Sequence, residues 1–186
     1  GGGAVMVDTA HLMRPSQRWT REALASRLKD CREFNRLGAV KDNFLYVRIV
    51  PTQKQSRISW RDDSGWELFS ENMAVLAWFA KEAGFKGMLL DAEDDTCARQ
   101  YRYLAGDAES LDDCVRIARR RGRRLFSAVF SEFADIELIF LSAMGRAVHD
   151  FETGGGKDSA RDSNGDGGLF PGFFNGMLDV MPPTVR

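Results

Sequence analysis

The chain has 186 residues, 44% of them apolar and 28% charged, with a formal net charge of −1. That length supports one domain with a real core, and the near-zero charge excludes a general pull toward nucleic acid or an anionic membrane. No run of 18 apolar residues occurs, so no membrane-spanning segment is expected.

The first apolar run, 4–8, reads as a strand ending at Asp8. Thr9-Ala10-His11 follows it. No Gly-rich phosphate loop stands there, which argues against a dinucleotide-binding fold. A helix is predicted to start near Thr20, a good N-cap, and to stop at Gly38. Leu24, Leu28, Cys31 and Phe34 recur at spacings of three and four, one apolar stripe.

The second strand, 44–50, is apolar except for Tyr46 and Arg48. A charge inside such a strand needs a partner. For Arg48 the choices are an ion pair with Asp8 or Asp91, or a substrate hydroxyl. A polar loop with Trp60 near its end leads to a helix over 66–83, closed by Gly84.

The third strand, 87–93, is the most informative. Its apolar run Met88-Leu89-Leu90 ends abruptly in Asp91-Ala92-Glu93-Asp94-Asp95. Asp91 and Glu93 are two apart and so point to one side of the strand. A third helix begins near Ser110, where Ser110-Leu111-Asp112-Asp113 resembles a capping box with acids in its first turn. Its basic run, Arg119-Arg120-Arg121-Gly122-Arg123-Arg124, reads as a solvated face late in a helix rather than a polyanion site.

The fourth strand is 137–142. Residues 154–168 read as a flexible Gly/Asp-rich loop. Within it, Asp162-Ser163-Asn164-Gly165-Asp166-Gly167 imitates the start of a calcium loop, but the twelfth position is Phe173 and not an acid. A short last helix, 169–181, is interrupted by Pro171 and Gly176. The three cysteines, Cys31, Cys97 and Cys114, match no zinc or redox spacing and imply no disulfide framework.

Apolar strands alternating with helices mean βαβ units and a parallel α/β sheet in a single domain over 1–186. An open doubly wound sheet and a parallel (β/α)-barrel both satisfy that pattern. The long polar loops after each strand favour the barrel. Eight units need roughly 250 residues, and about four are present. The expectation is therefore an incomplete portion of a TIM barrel, the N-terminal part of a longer protein. No signal peptide is visible, and the chain begins Gly1-Gly2-Gly3 without methionine. A secreted or periplasmic location, with the signal outside this chain, stays open.

In parallel folds of this kind, chemistry gathers at the carboxyl ends of the strands. Those ends offer Asp8, Arg48, Asp91 and Glu93. A carboxylic acid held against apolar walls has its pKa raised and can donate a proton, so Glu93 is the leading catalytic candidate. Glycosidic hydrolysis needs a second carboxylate across the bond. Asp91 stands close enough to tune Glu93, and Asp8 can come from another strand. Trp60 and Tyr101 offer aromatic faces on which sugar rings stack, or else belong to the core. His11, with Asp8, Asp91 and Glu93, could build a mixed carboxylate–imidazole metal site, although no His-x-His or His-Glu-x-x-His spacing supports it. No metal or other cofactor is assigned.

The phrase Lys86-Gly87-Met88-Leu89-Leu90-Asp91-Ala92-Glu93 resembles a strand of an uncharacterised glycoside hydrolase-like TIM-barrel family of planctomycete-type bacteria. Asp42-Asn43-Phe44-Leu45 is similar to that family's second-strand entry. Arg119-Arg120-Arg121-Gly122-Arg123 is similar to its third crossover helix. Leu169-Phe170-Pro171-Gly172-Phe173-Phe174-Asn175-Gly176-Met177-Leu178 resembles a further helix. Asp95 stands where the family's acid-x-Glu-x-Tyr pattern carries an aromatic. The resemblance implies a carbohydrate substrate and supports the carboxylate reading of Glu93. The rival readings are a metal-dependent hydrolase using Asp8, His11, Asp91 and Glu93, and a non-catalytic glycan-binding barrel remnant. Oligomeric state is not legible in the sequence.

Overall fold

The computed structural model describes residues 2–6, 17–37, 42–51, 57–92, 100–104, 110–141 and 168–185. Strands and helices alternate as β1 (Gly2–Met6), α1 (Arg21–Leu37), β2 (Asp42–Arg48), α2 (Asp63–Ala83), β3 (Gly87–Asp91), α3 (Leu111–Glu132), β4 (Glu137–Leu141) and α4 (Phe170–Leu178).

Local chemistry sets the helix ends. The Ala23 amide donates to Thr20 Oγ1 at 3.2 Å, so Thr20 caps α1 as its position suggests. Helix α2 starts three residues before Trp66, because Asp62 is its cap and accepts from the Gly65 amide at 2.9 Å. Gly84, at φ 79°, ends it in the left-handed conformation that glycine adopts without steric cost. Ser110 caps α3 through the Asp113 amide. Pro171 lies in the first turn of α4, where a missing amide hydrogen costs nothing, so it opens the helix rather than interrupting it.

All strand pairs are parallel and the order is β1-β2-β3-β4. This overturns the expected TIM-barrel portion. The described strands form one open sheet with β1 and β4 at its edges, too few to close on themselves. Alternating apolar strands and amphipathic helices encode βα units. They do not encode how many units pair or whether the ends meet.

Sequential order with crossovers of one hand places every helix on one face. Leu45, Val47, Met88 and Leu90 are fully buried beneath that helical layer. Leu138 and Phe140 pack against the same core. The opposite face carries Phe44, Tyr46 and Arg48 from β2, Leu89 and Asp91 from β3, and Ile139 and Leu141 from β4. It is less covered, and Ile139 is 40% exposed.

The core centres on Trp66, Phe69, Phe79, Phe126 and Phe173. Helix α1 contributes little, because Leu24 is its only buried residue. Phe34, expected on its inward stripe, is 53% exposed. The closest helix contact is α3 against α4. A Cβ on Gly122 would lie 2.0 Å from the Phe173 carbonyl oxygen, and one on Gly176 would lie 2.1 Å from that of Arg119. Only glycine lets the two backbones meet this closely. The Lys86-Gly87 pair that opens β3 has a similar reason: a Cβ on Gly87 would strike the Glu137 carbonyl of β4.

Cys114 is buried and Cys31 partly so, both in reduced form. Burial, aided by Asp30, pushes the Cys31 thiol pKa up, which suppresses its nucleophilic form. The basic run of α3 is balanced by acids. Arg119 pairs with Asp179, Arg121 with Asp63 and Arg124 with Glu67. Among the described residues no helix is long and apolar enough to cross a membrane.

Candidate functional site

The sheet delivers Asp91 and Arg48 to the same place. They are the last residues of β3 and β2 and stand in register on the face away from the helices. The Asp91 carbonyl accepts from the Ile49 amide at 2.8 Å, which extends the β2–β3 contact one step past Arg48. The Asp91 side chain is only 6% exposed. Its Oδ2 accepts a hydrogen bond from Tyr46 Oη. Tyr46 is two residues before Arg48 on β2, so both project to the side Asp91 occupies.

The outcome is a nearly buried carboxylate at the carboxyl end of a parallel strand, with a phenol bonded to it and a guanidinium-bearing residue in register beside it. Chemically, such a group can accept a proton, orient a polar substrate group or stabilise a neighbouring cation. Tyr46 was not among the sequence-derived candidates. The alternation along 44–50 was the available signal, because it places Tyr46 and Arg48 on one face while Leu45 and Val47 take the other.

Trp60 and Tyr101 are placed elsewhere. Trp60 is 4% exposed and stacks on Trp66, with centroids 4.8 Å apart and an interplanar angle of 23°. Tyr101 is 2% exposed and packs edge-on against Phe170. Both touch Phe173, which leads through Phe126 to Phe140. Phe140 is in register with Leu90, so this aromatic cluster lies on the helical side of the sheet and Asp91 on the other. Neither ring presents a solvent-facing surface for a sugar, and at these two positions the packing reading describes what is found.

These residues hold the backbone that follows β2. Tyr101 Oη donates to the Ile49 carbonyl at 3.0 Å, and the Tyr101 carbonyl accepts from the Leu169 amide. The Gln100 amide bridges both backbone groups of Ile58. Arg121, almost wholly buried, donates twice to the Trp60 carbonyl at 3.1 and 2.9 Å and pairs with Asp63. The Arg121 guanidinium holds the Asp63 carboxyl below its ordinary pKa. The strand end that carries Arg48 is thereby tied to α3 and α4.

Glu93, Asp8 and His11 lie outside the described residues, as do Cys97, His149, the calcium-like stretch 162–167 and nearly all of the loop 154–168. Among the described residues no three His, Cys, Asp or Glu side chains converge as a metal site would require. A cavity of about 660 Å³, lined by Phe85, Lys86, Phe133, Asp135, Glu137, Pro183 and Thr184, opens at the amino ends of β3 and β4, the opposite end from Asp91. Lys86 there bridges Asp42 and Glu137 at 3.4 and 3.3 Å, and the two acids raise its pKa. Comparison with protein-family models, with curated proteins and with solved structures finds no match to this chain.

Proposed function

We propose that this protein is a hydrolase of glycoside hydrolase-like type, acting on a carbohydrate by carboxylate acid/base chemistry. The observation that supports this reading best is Asp91, a nearly buried carboxylate bonded to Tyr46 at the carboxyl end of a parallel sheet. Burial of a carboxylate is costly unless it is paired or hydrogen-bonded, and Tyr46 supplies such a bond here. The resemblance of 86–93 to a glycosidase-like strand adds the substrate class.

In this proposal Glu93 is the general acid or nucleophile, as the sequence pattern suggests. Asp91 orients or tunes it, and Asp8 is the candidate second carboxylate. Arg48, in register with Asp91, is the residue proposed to bind a substrate hydroxyl or to pair with the carboxylate. Trp60 and Tyr101, both buried in the core, are left out of the proposed binding surface.

The test is reducing-sugar release on a panel of polysaccharides, by the protein and by its Asp91→Asn and Glu93→Gln variants. Removing an acid/base group should lower turnover by about 10²–10⁴-fold. Chelator treatment should leave release unchanged. Turnover that survives in both variants would remove these residues from the chemistry. Release that vanishes with chelator and returns with added metal would replace the proposal by the metal-dependent one. Glycan binding without release would leave a binding protein.

A further inference from the structure

We draw no further inference here: the strongest candidate, the half-exposed apolar sheet face formed by Phe44, Tyr46, Leu89, Ile139 and Leu141, carries none because nothing in the structure shows what covers it.

Discussion

Gly176→Ala sets two physical effects against each other at the α3–α4 crossing. In an isolated helix the change is favourable, because alanine has the higher helix propensity by about 1 kcal/mol. In this fold the new methyl would lie 2.1 Å from the Arg119 carbonyl oxygen and 2.8 Å from the Arg123 amide nitrogen. Both are backbone atoms of α3, so no side chain can swing aside. The helices would have to part by about 1 Å, enough to forfeit a quarter to a half of the dispersion energy across the seam. Phe170, Phe173 and Met177 are buried along that seam and would share the loss. Overpacking of this kind costs about 1–3 kcal/mol.

A net destabilisation of about 1 kcal/mol is expected once the propensity gain is set against the overpacking cost, equivalent to a fall in Tm of about 2–4 °C for a chain of this size. Urea denaturation should show a lower midpoint with an unchanged slope. Ser127→Ala, at an exposed position on α3, is the control and should stay within about 0.5 kcal/mol of the parent. A Gly176→Ala variant as stable as the parent, or more so, would refute the argument: propensity would have won, and the backbones could not be in contact. The seam also matters to the site. Leu169 and Phe170 hold Tyr101, and Tyr101 holds the Ile49 carbonyl beside Arg48.

Other expectations follow from single contacts. Tyr46→Phe removes the phenol that donates to Asp91, and hydrogen bonds to charged groups are worth about 1.5–3 kcal/mol. A double-mutant cycle with Asp91→Ala, which removes the acceptor, should return a coupling of about 1 kcal/mol or more, and zero coupling would deny the contact. Arg121→Met strips both donors from the Trp60 carbonyl, at a cost of about 1–3 kcal/mol. Tryptophan emission should shift to the red as the segment before α2 loosens; an unaltered spectrum and midpoint would contradict the clamp. Asp62 has its pKa lowered chiefly by the Gly65 amide, then by the Ser64 hydroxyl. A depressed carboxylate pKa means its stabilisation is full above the unfolded value near pH ~4 and fades as pH falls through the folded one. Asp62→Ala should therefore cost about 1 kcal/mol at pH 7, and a gap that persists undiminished into strong acid would count against the cap.

The site was partly legible from sequence for a specific reason. An apolar run that stops at acids marks a strand end, and Asp91 is where β3 stops. Arg48 was legible because a lone charge in an apolar strand demands an explanation. Its alignment with Asp91 was not, because register depends on how two distant strands pair. The aromatics were ambiguous for the same reason. Trp60 and Tyr101 carry the same chemistry on a surface or in a core. Only the contacts with Trp66, Phe170 and Phe173 assign them to the core.

By itself the sequence determined the local elements of this protein: caps at Thr20 and Ser110, a stop at Gly84, and four apolar strands between helices. These follow from interactions among residues a few positions apart, which a pattern along the chain contains. The tertiary structure alone decided that the strands form an open sheet rather than part of a barrel, that Phe34 faces outward, and that Tyr46 meets Asp91. Each of those depends on pairing between segments tens of residues apart. The free energy of such pairing comes from area buried between elements, a quantity that no single segment carries.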